Sequence, residues 1–199
     1  ELQAQGTATL GGFSEQIASI EGVVSVNVVE NQTDSVDSSG RPPHSIEVFV
    51  DGGSDDVVAQ EIYSYKPLGI ATTSVTTAGS SSERTGAIIT VNSVASTLSF
   101  SSSVKVNIYM DVTLTVDSSY PDNGDELVKE NLATFINNQG LGKTLYTYKL
   151  NTAVAFVKGV TTVDIKVGKI PNPALSENII AESFEIFTCN ESLITITRG

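Results

Sequence analysis

One stretch near the middle of the chain constrains the fold more than any other. In Val104–Val116, the residues Val104, Val106, Ile108, Met110, Val112, Leu114 and Val116 take every even position. Successive residues of a strand point to opposite faces, so this pattern predicts a long strand burying one face. A helix is expected next, starting at Pro121 and Asp122. It aligns Val128, Leu132, Phe135, Ile136 and Gln139, and Gly140 ends it. Another helix is expected near 145–157, with Leu150, Ala153, Val154 and Val157 at helical spacing and Gly159 as its stop. Val160 to Val167 reads as a strand and 168–178 as a Pro-containing loop. Phe184–Thr188 and Leu193–Thr197 read as a closing hairpin.

The first half of the chain has a similar grammar. Ser14 is the expected N-cap of a short helix with Ile17 and Ile20 on one side, and Gly22 its left-handed cap. The β-branched run 23–29 is a strand, and the polar 31–43 a loop. Residues 45–50 alternate apolar and polar, a second strand. Gly52-Gly53 permit a sharp turn. Ser54 then caps a helix whose Asp55 and Asp56 suit the positive end of its dipole. Its Val58, Ala59, Ile62 and Tyr65 share one side, and Pro67 and Gly69 close it. A stretch rich in Thr, Ser, Ala and Gly follows from 70 to 82. Two short strands, 86–91 and 94–100, are expected around Asn92-Ser93.

These elements imply an α+β protein of two small modules, 11–100 and 101–199, each with mixed or antiparallel sheet and packed helices. The hairpins near 86–100 and 184–197 could pair, which would make one module discontinuous. There is also an internal echo. Residues 17–28 read IASIEGVVSVNV and 154–165 read VAFVKGVTTVDI, each a helix end meeting Gly-Val and then a strand. Two readings stand: two independent helix-to-strand turns, or two related modules.

Charge and composition exclude several classes. Asp and Glu number 23 against 11 Lys and Arg, a net charge of −12. Such a surface repels phosphate backbones and anionic membranes, so neither nucleic acid nor membrane is an expected partner. No apolar run approaches the roughly 20 residues needed to span a bilayer. The first residues lack the charged and apolar regions of a signal peptide. The chain does not begin with Met, and we read it as an excised fragment or a processed chain. The one cysteine, Cys189, cannot form an internal disulfide or a cysteine-based zinc site.

No constellation of catalytic residues emerges. His44 is the only histidine, and its neighbour Ser45 points to the other face of a strand, so the two make a poor dyad. Cys189 has no base in view and reads as a small buried apolar residue. Asp34, Asp37 and Gly40 share a loop, while Asp51, Asp55 and Asp56 flank Gly52-Gly53. Asp117, Asp122, Asp125 and Glu126 surround a later turn. Calcium uses such oxygens, but the spacing is not that of an EF-hand, and solvated loops and helix-dipole charges account for them. Gly52-Gly53-Ser54 could hold an anion at a helix start, but two aspartates there repel it. With no Trp, a base-stacking platform is unsupported. No catalytic, cofactor-binding or metal-ligating residue is therefore assigned.

Residues 20–74 resemble the baseplate J-like proteins of contractile phages. The residues that carry the likeness are Gly22-Val23, Glu30-Asn31, Pro42-Pro43-His44-Ser45, Gly52-Gly53, Asp55-Asp56, and Lys66 with Gly69-Ile70 and Thr72. Arg41 stands where an apolar residue is expected before Pro-Pro. The later strand, helix and helix–Gly-Val–strand order is similar in general terms. The resemblance implies the C-terminal portion of a baseplate wedge protein without catalysis. It implies assembly in the bacterial host cytoplasm, a place in the virion's tail baseplate, and contacts with other wedge and hub proteins and with further copies of itself. Related proteins occur in phage-tail-like bacteriocins and injection machines. The alternative is a calcium-dependent or carbohydrate-binding surface module using the aspartate loops.

Overall fold

The computed structural model describes residues 9–75, 82–89 and 93–199. It is an α+β protein that divides into two compact units, Glu1–Val104 and Lys105–Gly199. Residues 76–81 of the Thr- and Ser-rich stretch, and 90–92 with the expected turn residue Asn92, lie outside the described residues.

In the first unit, α1 (Leu10–Ala18) leads into β1 (Val23–Asn31), which pairs antiparallel with β2 (Ser45–Gly52). Then come α2 (Asp55–Tyr65), β3 (Ala71–Thr73), β4 (Glu83–Ile89) and β5 (Ala95–Ser102). The sheet runs β1-β2-β5-β4, with β3 also beside β2. Both β3 and β5 are parallel to β2, while β4 and β5 form an antiparallel hairpin. Phe13 and Ile17 of α1 and Val58, Ala59 and Ile62 of α2 bury against Ile46, Val48 and Val50 of β2. Each large apolar side chain so buried contributes about 1.5–3 kcal/mol.

The second unit contains β6 (Val104–Asn107), β7 (Tyr109–Val116), α3 (Gly124–Asn137), α4 (Thr147–Ala155), β8 (Val160–Gly168), β9 (Glu185–Thr188) and β10 (Ile194–Arg198). Its main sheet is β10-β7-β8, and β6 pairs with β9. Ile108, Met110, Val112 and Leu114 are buried beneath Val128, Leu132, Ile136, Leu150 and Val154 of the two helices.

The elements depart from expectation in instructive places. Helix α1 begins earlier, because the Thr9 hydroxyl accepts the Gly12 N–H at 3.1 Å and Ser14 lies inside the helix. Gly22 is not the cap of α1, which ends at Ser19; it is a left-handed turn residue (φ +82°) that aims the chain into β1. Helix α3 starts at Gly124, and Pro121 sits in the preceding turn as acceptor for the Gly124 N–H at 2.9 Å. The long alternating strand is two strands. At Ile108 the N–H donates to Thr188 O at 2.9 Å, and pairing passes from β9 to β8 and β10.

The closing hairpin does not form. Asn190 accepts from the Ser192 N–H and hydroxyl and builds a 3₁₀ turn at Glu191–Leu193. That turn sends β10 alongside β7 in parallel instead of back along β9. Among the described residues of 86–100, β4 bonds to β5, and β5 in turn to β2. No helix among the described residues is long and apolar enough to cross a membrane.

Candidate functional site

The residues singled out in 20–74 converge on β2. Its first six residues are all buried, on both faces. Even positions enter the core, while Ser45, Glu47 and Phe49 point the other way, to the face that an alternating strand ordinarily leaves solvated. The loop 32–44 accounts for the difference, since it folds back over them.

That fold-back is held by a buried polar clip. Glu47 is 1% exposed. Its Oε2 accepts from Arg41 Nε at 2.8 Å, and its Oε1 accepts from the Ser101 hydroxyl at 2.7 Å and the Val75 N–H at 2.9 Å. Arg41 reaches on to Asp37 Oδ2 at 3.0 Å and lies 5.9 Å from the centre of the Phe49 ring. Asp37 Oδ1 in turn accepts the N–H groups of Ser39 and Arg41, each at 2.9 Å. The bond from the Arg41 N–H is the main reason its carboxyl is held below the usual range. Asn31, also buried, donates from Nδ2 to Ser35 O, Arg41 O and Pro42 O at 2.8–2.9 Å. Ser45 Oγ donates to Pro42 O at 2.7 Å. A buried charge is tolerated only when paired and hydrogen-bonded in this way. Arg41 thus occupies the expected apolar place by laying its flat cation along an aromatic ring.

The glycines form a second junction. Gly53 N–H donates to Gly22 O at 2.8 Å, and a Cβ on Gly52 would lie 2.2 Å from that oxygen. Arg84 seals the junction. Its guanidinium bonds Asp55 Oδ1, Gly52 O and Gly53 O at 2.7–2.9 Å and stacks 4.8 Å from the Phe100 ring centre. Asp55 is therefore a partner for arginine as well as a helix-dipole charge. Asp56 accepts the Ala87 N–H at 2.8 Å, and Gln60 accepts that of Ile89 at 3.0 Å, so α2 covers the edge of β4.

Glu47, Arg84 and Ser101 were not singled out in the sequence, because, Arg41 apart, their hydrogen-bond partners lie 27 or more residues away. A lone Glu inside an apolar run was the available hint.

The other candidates are placed as follows. His44 adopts φ +49°, and its Nε2 is 2.8 Å from Asp34 Oδ1; both groups are largely exposed. An exposed pair of this kind is worth little. Cys189 is buried, and burial pushes its thiol up to about 11, so the nucleophilic thiolate is scarce at neutral pH. Asp51 accepts from the Ser103 hydroxyl at 2.6 Å. Asp117 accepts from the Ser119 hydroxyl and N–H at 2.6 and 2.7 Å, which lowers its pKa. Asp125 accepts from the Tyr120 hydroxyl at 2.8 Å and pairs with Arg198 at 2.9 Å. Burial raises the Asp125 carboxyl, but those two donors outweigh it and the net shift is downward. Burial, with the same Asp125 bond, pushes the Tyr120 hydroxyl up to about 12. The described residues contain no cluster of three or more His, Cys, Asp or Glu able to hold a metal ion. A cleft of about 630 Å³ between α3 and α4 is lined by Phe135, Ala153 and Phe156 with neutral polar side chains. What β2 and its loops assemble is a clamp, with its polar atoms turned inward on each other.

No protein-family model matches the chain, and no curated protein matches it.

Proposed function

We propose that this chain is a non-catalytic structural piece of a contractile phage or prophage tail baseplate wedge, corresponding to the C-terminal part of a baseplate J-like protein. It would assemble in the bacterial host cytoplasm with itself and with other wedge and hub proteins, and reside in the virion's tail baseplate.

One observation carries the proposal. The residues behind the resemblance are those that shape the backbone. Gly22 and Gly52-Gly53 make the glycine junction, Asn31, Pro42 and Ser45 pin the loop over β2, and Asp55-Asp56 tie α2 to β4. A pattern that specifies shape instead of reactive groups suits a part that works by fitting its neighbours. The calcium or carbohydrate alternative has less support, because Asp37, Asp51, Asp55, Asp56 and Asp125 already spend oxygens on their own chain.

The test is incorporation. A tagged chain, expressed as part of its full-length protein in the producing cell, should co-purify with intact tail particles and label the baseplate end in electron micrographs. Recovery only as free protein, with particles lacking it, sinks the proposal.

A further inference from the structure

The ladder between β10 and β7 determines which backbone groups of β10 are used. Gly199 N–H donates to Leu114 O at 2.9 Å, and Thr197 and Arg198 lie opposite Thr113 and Leu114. Successive peptide groups of a strand point to opposite edges. Thr195, Thr197 and Gly199 therefore bond to β7, and the peptide groups of Ile194, Ile196 and Arg198 turn outward. The Ile194 N–H is taken by Glu191 O. β10 ends its sheet, and no described group pairs with the N–H of Ile196 or Arg198.

The first unit holds the same edge in an occupied state. β5 lies parallel to β2, and Ser103 N–H donates to Val50 O at 3.2 Å, the counterpart of Gly199 to Leu114. On the far side of β5 lies antiparallel β4. There Ser102 N–H, the counterpart of the Arg198 N–H, donates to Ser82 O at 2.8 Å. Natural proteins blunt exposed edges with lysine, proline, bulges or a covering helix. The edge of β4 has its helix, whereas β10, with the sequence Ile-Thr-Ile-Thr-Arg, has no lysine, proline or bulge; its one charge, Arg198, is engaged by Asp125.

We propose that the outer edge of β10 pairs antiparallel with β10 of a second copy, about a two-fold axis at Ile196. In that register the two Ile196 residues exchange a pair of hydrogen bonds, and each Arg198 N–H meets Ile194 O of the other copy. Thr195 faces Thr197 on the solvent side, a favourable cross-strand pair, and Ile196 faces Ile196 on the core side. No like charges stand opposite each other. Two copies of net charge −12 repel overall, and β10 itself carries no carboxylate, its one charge, Arg198, being paired with Asp125. The contact is isologous, as closed dimers require, and would join three strands from each copy into one sheet. The seam is short, so the dimer forms at high protein concentration. The pairing does not depend on the baseplate reading and is tested on the chain alone.

Equimolar mixing of Thr195→Cys and Thr197→Cys chains under oxidising conditions should give a disulfide-linked heterodimer. The two positions face each other at a non-hydrogen-bonded site, where Cα atoms are about 4.5 Å apart. Thr195→Cys alone should not cross-link, since its copies are diagonal neighbours beyond bridging reach. In sedimentation, mass should rise toward the dimer with concentration. Ile196→Pro, which removes the outward N–H, should abolish that rise, and Ile196→Ala should keep it. A monomer at every concentration overturns the proposal. So does equal cross-linking by Thr195→Cys alone, or a dimer that Ile196→Pro leaves intact.

Discussion

Strands β2 and β7 hold corresponding places in their units, each with an antiparallel neighbour on one side and a parallel one on the other. In both units a helix meets a glycine at φ +82°, Gly22 or Gly159, and that glycine's carbonyl accepts an N–H at 2.8 Å from just past the end of the central strand. In both, the register slips at the same step, skipping Val24 in β1 and Thr161 in β8. Phe13 and Ile17 stand before Gly22 as Leu150 and Val154 stand before Gly159, all four buried. Yet the order along the chain differs. The first unit runs α1-β1-β2-α2, and the second runs β7-α3-α4-β8, the same pieces entered at another point. The difference lies in what is added. The back of β2 is sealed by the clip, whereas the back of β7 presents part-exposed Asp111 and exposed Thr113 and Thr115. Two units can thus share a junction while only one gains a second buried layer.

The sharpest way to break that comparison is to remove the clip. Glu47→Ala leaves Arg41 buried without its main partner, and breaking such a pair costs about 3–5 kcal/mol. Asp111→Ala, at the corresponding place in β7, should stay within about 0.5 kcal/mol. Unfolding followed by residue-resolved hydrogen exchange reports each unit separately. Equal losses would mean that the back face of β2 is no more sealed than that of β7.

Much of this architecture was legible locally. The even-position run and the Asp55-Asp56 helix start each depend on neighbours close in sequence, whereas the helices expected to stop at Gly22, Gly140 and Gly159 are capped earlier, at Ser19, Asn138 and Phe156. The echo between 17–28 and 154–165 was visible because its chemistry is local: a glycine turn, then a β-branched strand. What was hidden is what long-range pairing decides. Glu47 reads as a solvent-facing strand residue until Arg41, Ser101 and Val75 surround it. Leu193–Thr197 reads as half a hairpin because period-2 alternation marks a strand without naming its partner, and Asn190 supplied the redirecting turn. The break at Ile108 leaves no mark either, since the alternation continues through it.

The shared glycines sharpen the comparison with a smaller effect. Alanine at Gly22 or Gly159 must adopt a left-handed backbone, at about 1–2 kcal/mol. Space separates the two. A Cβ on Gly22 meets nothing nearer than Gly53 at 3.8 Å, whereas one on Gly159 would lie 2.4 Å from Tyr120 N. Gly159→Ala should therefore cost about 1–3 kcal/mol beyond Gly22→Ala, for overpacking against backbone. Thermal denaturation of the two variants checks the order. Equal losses would show that the turn after β7 yields more readily than its geometry implies.

The smallest effect is at acid pH, where the units should behave alike. Asp37 and Asp117 each accept hydrogen bonds from the chain just ahead of them, Asp37 chiefly from the Arg41 N–H and Asp117 chiefly from the Ser119 hydroxyl. Both carboxyls therefore sit below their ordinary value of 3.8 in the folded protein. A depressed folded value means the unfolded chain binds the proton more readily. The stabilisation is complete above the unfolded value and is lost as pH falls through the folded one. Each unit should lose protection progressively below about pH 4. Asp37→Asn should flatten that loss in the first unit only, and Asp117→Asn in the second only, read by hydrogen exchange across an acid titration. If either variant flattened both, the two turns would not be acting as separate local bonds.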